Sequence, residues 1–232
     1  MRNFDPSLYF ITDSTGFTEE EFLYRVEQAL IGGATMLQLR EKEKTTREYM
    51  ELAIKVHALT QKFNVPLLID DRVDVALAVD AEGVHVGASD LPVAAARRLM
   101  GDHKIVGATA KTVPWAQDVY EQGADYLGVG AIYPTTTKVK TVLTSTDTLR
   151  DICEAVPIPV NAIGGLNKDN LDILDGIPIA GICVVSAIMK APDPALAAKE
   201  LRAQAEKQKS SQKIHKKYQH SLLTSANNSG IT

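Results

Sequence analysis

Asp70 and Asp71 stand side by side at the end of the run "PLLIDDRVD", residues 66–74, with Asp74 three positions beyond. The apolar half predicts a buried strand, and adjacent carboxylates at its tip repel each other and resist desolvation. A positive charge is required beside them. The next short apolar run, "GVHVGASD", carries Asp90 to a neighbouring strand end. Adjacent strands lie roughly 5 Å apart, so Asp71 and Asp90 can reach one cation. A carboxylate-only pair suits Mg2+, which keeps several waters and is completed by substrate phosphates. The competing fate is capping, with Asp70 closing a helix that begins near Val73 and Asp90 one that begins at Pro92. Asp74 is read as a complement to the helix dipole.

Other strand ends carry further polar residues. In "QLREKEK", Gln38, Arg40 and Lys42 alternate with Leu39 and Glu41, so a persisting strand presents two faces. A glutamine inside an apolar strand needs a hydrogen-bond partner. "GATAKT" offers Thr109 and Lys111, and "YPTTTKVKT" sets Thr135, Thr136 and Thr137 beside Lys138 and Lys140. That hydroxyl-rich, cationic loop suits ligand contact or a closing lid. "AIGGLN" and "VVSAI" place Gly164–Gly165 and Ser186 at two further strand ends, a pairing that in a (β/α)8 barrel forms the recurrent phosphate site. His85 is read as a packed residue with satisfied nitrogens.

These residues need a scaffold that gathers strand ends. Strands are predicted at 8–12, 35–40, 66–70, 83–86, 104–109, 125–130, 158–163 and 180–185. Between them, Tyr49, Leu52, Ala53, Val56, Leu59 and Phe63 form one helical stripe over 45–63, with further helices at 92–100 and 196–206. Alternation throughout predicts an α/β protein, a (β/α)8 TIM barrel whose chemistry sits at the C-terminal strand ends. Phe10 and other bulky strand residues are expected to fill the barrel interior. An open doubly wound sheet is the alternative, but the glycine fingerprint after the first strand is missing, since "ITDSTGFTEE" stands there.

Length suits one domain over 1–206. Residues 207–232 hold five lysines and no acid, leaving −9 on the rest of a chain whose formal charge is −4. An acidic body argues against nucleic acid, and the polar, basic, low-complexity tail has the composition of disorder. Cys153 and Cys183 form neither a disulfide framework nor a zinc motif. No apolar run is long enough to span a bilayer, and the N-terminal residues lack a signal-peptide pattern, so a cytoplasmic location is expected.

The ordered set "QLREK", "LLIDDRVDVALAV", "GVHVGASDLP", "VGATAKT", "GADYLGVGAIYPTTTK", "VNAIGGL" and "VVSAI" resembles the thiamine-phosphate synthase family over about residues 8–204. The resemblance implies a Mg2+-dependent transferase that joins a hydroxymethylpyrimidine diphosphate to a carboxythiazole or hydroxyethylthiazole phosphate with release of diphosphate. It implies pyrimidine diphosphate contacts from Gln38, Leu39, Arg40, Glu41, Lys42, Asp70, Thr109 and Lys138. It gives the thiazole phosphate to Thr135, Thr136, Thr137, Gly165, Val185 and Ser186, and one Mg2+ to Asp71 and Asp90, making that ion the expected counter-charge of the Asp70–Asp71 pair. Family members often carry Asn where Asp70 stands and Ser where Thr109 stands. The implied chemistry, loss of diphosphate followed by attack of the thiazole nitrogen, needs no nucleophilic side chain, and no Cys/His or Ser/His pairing is expected. Partners are then small-molecule substrates, without nucleic acid or membrane, and a homo-oligomer is allowed. The rivals are a thiazole tautomerase-like barrel, which would resemble a form with His where Lys111 stands, and a non-catalytic phosphate-binding regulatory barrel.

Overall fold

A computed structural model describes residues 4–135 and 142–208. Eight strands are present: β1 Leu8–Ile11, β2 Met36–Leu39, β3 Leu67–Asp70, β4 Gly83–Val86, β5 Ile105–Ala110, β6 Tyr126–Gly130, β7 Val160–Ile163 and β8 Gly181–Val184. Each pairs in parallel with the next, and β8 returns to β1 with Phe10 opposite Val184, closing the barrel. Helices α1 Glu19–Ile31, α2 Thr46–Lys62, α3 Val73–Ala78, α4 Val93–Met100, α5 Val113–Glu121 and α6 Thr146–Ala155 fill the first six crossovers. A 3-10 turn, Leu171–Leu174, stands after β7, and the short α7 Ser186–Met189 and a final helix α8, 194–208, follow β8.

The strands are buried on both faces, and alternation assigns the faces to two layers. Leu8, Phe10, Leu37, Leu39, Leu67 and Ile69 pack with the helical residues Val26, Tyr49 and Val56. Tyr9, Met36, Leu68, Tyr126 and Cys183 form a separate cluster inside the barrel. The expected interior position of Phe10 is therefore corrected: it belongs to the helix layer, and Tyr9, one residue earlier, points inward. Each buried Leu, Ile or Phe contributes about 1.5–3 kcal/mol of transfer free energy, so a one-residue register slip is strongly opposed.

Local signals fix where the helices start. Thr18 and Thr45 each form a reciprocal capping box, with Glu21 and Glu48 respectively. Hydrogen bonds from Thr18 and Thr45 hold both glutamates below the usual carboxylate range. The final helix extends past the expected end at 206, and Gln208 Nε2 donates to the Leu171 carbonyl at 2.6 Å. Residues 209–232, most of the expected tail, lie outside the described residues. Among the described residues no helix is long and apolar enough to cross a membrane.

Candidate active site

The C-terminal ends of the strands surround a cavity of about 430 Å³. From β2 outward, Gln38, Arg40 and Lys42 line it, while Asp70, Asp71 and Asp90 stand on the adjoining β3 and β4 ends. Thr109 enters from β5 and Thr135 from the chain after β6, and Gly165, Val185 and Ser186 close the far side. Barrel closure thus brings eleven of the expected residues to one mouth.

Charge is concentrated on the β2–β3 side. Lys42 Nζ lies 2.7 Å from Asp70 Oδ2 and also contacts Asp71 Oδ2, and Arg40 Nε lies 3.7 Å from the same Asp70 oxygen. Burial works against the Lys42 charge, but the Asp70 and Asp71 carboxylates outweigh it and raise the lysine pKa. The counter-charge of the adjacent aspartates in this structure is therefore an ammonium and a guanidinium. Neither Asp70 nor Asp90 caps a helix: α3 and α4 are preceded by Arg72 and Pro92, with no side-chain cap bond. Asp74 lies in the first turn of α3 and pairs with Arg72 at 2.5 Å.

Asp71 and Asp90 face each other. Asp71 adopts a left-handed backbone, φ 61°, and its amide donates to the His85 carbonyl at 2.9 Å, which turns the residue off the strand. Asp90 Oδ2 accepts from the Gly87 amide at 2.8 Å. Burial raises the Asp90 pKa, and the Asp71 carboxylate raises it further. Two hard oxygen donors set against one another in this way fit a divalent ion that takes its remaining ligands from water and phosphate.

Two expected residues turn away. Leu39 packs in the helix layer, and its carbonyl accepts from Tyr49 Oη at 2.6 Å. Glu41 Oε2 accepts from Ser14 Oγ at 2.8 Å and lies 3.6 Å from Lys44 Nζ. Burial pushes the Glu41 carboxyl above its ordinary range, and among the described residues its Oε1 has no hydrogen-bond partner. Neither side chain lines the cavity, as the alternation along 38–42 requires. Thr136, Thr137 and Lys138 lie outside the described residues.

The structure also brings in residues that spacing alone did not mark. Gln38 Nε2 donates to Tyr9 Oη at 2.7 Å, and Tyr9 Oη lies 2.8 Å from Tyr126 Oη. His85 reaches Tyr126 Oη through Nδ1 at 2.9 Å and Thr109 Oγ1 through Nε2 at 3.0 Å. His85 is thus packed with its ring nitrogens partnered, as expected; the hydroxyl it meets is a threonine's, and the other ring nitrogen meets a phenol rather than an orienting carboxylate. Cys183 also lines the cavity, and burial pushes its thiol pKa up, away from thiolate chemistry. The sequence signal for Tyr9 was the inward glutamine, which had to find a donor or acceptor on a neighbouring strand.

On the opposite side Gly165, φ 64°, approaches the chain after β6 so closely that an added Cβ would sit 2.6 Å from Tyr133 Cβ and 2.8 Å from the Pro134 carbonyl oxygen. A side chain there would push away the segment that carries Thr135.

A family model described as thiamine monophosphate synthase matches residues 8–188. The chain belongs to the thiamine monophosphate synthase family. Within that family it is 52% identical over 184 residues to thiamine-phosphate synthase of Enterococcus faecalis, covering 79% of this chain and 87% of that protein. It is 46% identical over 201 residues to thiamine-phosphate synthase of Methanobrevibacter smithii, covering 87% and 96%. The solved thiamine phosphate pyrophosphorylase from Pyrococcus furiosus superposes with a TM-score of 0.79 at 40% identity, covering 88% of this chain and 96% of that one. The family match spans every strand of the barrel, and so every strand end that lines the mouth.

Proposed function

We propose that this member of the family is a thiamine-phosphate synthase, which condenses 4-amino-2-methyl-5-(diphosphooxymethyl)pyrimidine with a thiazole phosphate and releases diphosphate. One observation carries the reading: the cations of Arg40 and Lys42 share a single mouth with the facing carboxylates of Asp71 and Asp90. That arrangement suits a leaving group that is polyanionic and a metal that is completed by its oxygens.

The chemistry follows from where charge develops. As the pyrimidine methylene C–O bond breaks, its electron pair passes to the diphosphate, and the electron-rich aminopyrimidine ring supports the cationic carbon. The thiazole nitrogen then donates its lone pair to that carbon. Arg40 and Lys42 bind the diphosphate and stabilise its developing charge, with Lys42 exchanging carboxylate contacts for phosphate ones. Asp71 and Asp90 would hold Mg2+, which neutralises diphosphate charge when bound. Gly165 and the Val185–Ser186 backbone would seat the thiazole phosphate, and Thr135 its ring. Thr136, Thr137 and Lys138 complete the set by resemblance. Phosphorylated small-molecule substrates fit a cytoplasmic site of action.

Mixing the purified chain with both substrates and Mg2+ tests the reading. Stoichiometric diphosphate and thiamine phosphate are expected. A tautomerase would release no diphosphate, and a regulatory barrel would bind without turnover; either result overturns the proposal.

A further inference from the structure

Beneath the cavity, four contacts link five side chains in one line: Gln38–Tyr9, Tyr9–Tyr126, Tyr126–His85 and His85–Thr109, at 2.7, 2.8, 2.9 and 3.0 Å. The fold makes room for it. A Cβ on Gly107 would stand 2.3 Å from Tyr126 Oη, and one on Gly128 would meet His85 Cε1 at 3.4 Å. The two phenol rings meet edge-on with centroids 5.6 Å apart. Such a run of buried polar groups is costly unless every member is satisfied, so its protons must be ordered.

With a neutral His85 the ordering allows two states. Burial raises both phenols well above their ordinary range, so each keeps its single proton. A neutral imidazole likewise donates through one ring nitrogen and accepts through the other. Each contact carries one proton, so all four must run in the same direction. In one state Gln38 donates inward and turns its amide oxygen to the cavity, while Thr109 accepts from His85 and points its own proton outward. In the other the amide is flipped, its nitrogen faces the cavity, and Thr109 donates inward.

We propose that Tyr9, Tyr126 and His85 are positioning residues, a directional relay that couples the amide orientation of Gln38 to the hydroxyl direction of Thr109 and thereby selects an aminopyrimidine over an oxopyrimidine. This rests on the thiamine-phosphate synthase reading. The 4-amino group donates and is met by the Gln38 oxygen; the same state gives the diphosphate a Thr109 proton. A 4-oxo group requires the flipped amide, and the relay then turns the Thr109 lone pairs toward the anionic diphosphate. Base recognition and phosphate recognition are thereby one choice rather than two.

The test uses unreactive 4-amino and 4-oxo pyrimidines that carry a bisphosphonate with carbon in place of the leaving oxygen. Calorimetry measures both affinities in wild type, Tyr126→Phe, Tyr9→Phe and the double variant, each of which keeps its ring in the core. Wild type is expected to favour the amino form strongly. Each single variant frees Gln38 to flip alone and should reduce that preference about tenfold. The double variant should reduce it no further, because one cut already breaks the relay. An unchanged preference in Tyr126→Phe, an equal loss of affinity for both analogues, or additive effects in the double variant would overturn the proposal. Wild type binding neither analogue would instead overturn the functional reading, and the relay's role with it.

Discussion

Lys42 holds together two carboxylates that would otherwise repel, and one of them, Asp71, also faces Asp90. Asp71→Ala removes a proposed metal ligand while leaving Asp70 to pair with Lys42, so the fold should survive. Turnover is expected to fall on the order of 10²-fold or more, with an unchanged melting curve and a raised Mg2+ requirement. Full activity of the variant, or of wild type without added metal, would refute the metal assignment. Glu41 makes a different prediction. Its buried carboxyl binds a proton more tightly in the folded chain than in the unfolded one. The stability that this proton supplies is complete below the ordinary carboxylate pKa and is lost as pH rises through the raised value. Glu41→Gln should therefore melt higher than wild type at pH 7, roughly 2–4 °C for each kcal/mol in a chain of this size. The gain should disappear in melting curves taken below the ordinary carboxylate pKa. A gain that persisted there would show that the glutamine packs better for reasons unrelated to charge.

Strands here are short, and what each contributes depends on alternation past its end. Gln38, Arg40 and Lys42 reach the cavity because they share a face, and the same alternation turns Leu39 and Glu41 elsewhere. The resemblance assigned all five to one ligand, whereas the strand geometry divides them. Strand β5 supplies space rather than contact at Gly107, where a Cβ would lie 2.1 Å from Tyr126 Cζ. The Tyr126 ring is fully buried and has no open side to move into. Gly107→Ala should cost about 1–3 kcal/mol, read as a lower urea midpoint at unchanged slope. Wild-type stability in that variant would mean that the ring has another place to go.

Across the whole molecule, closure of the barrel between β8 and β1 sets Tyr9 beside residues more than a hundred positions away. The last helix belongs to this body at least as far as Gln208, whose amide holds the Leu171 carbonyl. Deleting 209–232 is accordingly expected to leave kcat and the melting temperature unchanged, while a cut after 206 removes that contact and lowers the melting temperature. A large fall in kcat on removing 209–232 alone would give those residues a part in turnover.

The order of elements, the positions of the strand ends and the acids and bases standing on them were all legible along the chain. They follow from period-two and helical patterning and from side-chain chemistry, which are local properties. Even the need of Gln38 for a partner could be read, because an inward amide in an apolar strand has to be satisfied. The partner's identity could not. Tyr9 meets Gln38, Lys42 meets Asp70 and Ser14 meets Glu41 across 29, 28 and 27 positions of chain, and Phe10 rather than Tyr9 faces the helices. Those outcomes depend on register and closure, which set distant residues against one another and which no stretch of sequence expresses by itself.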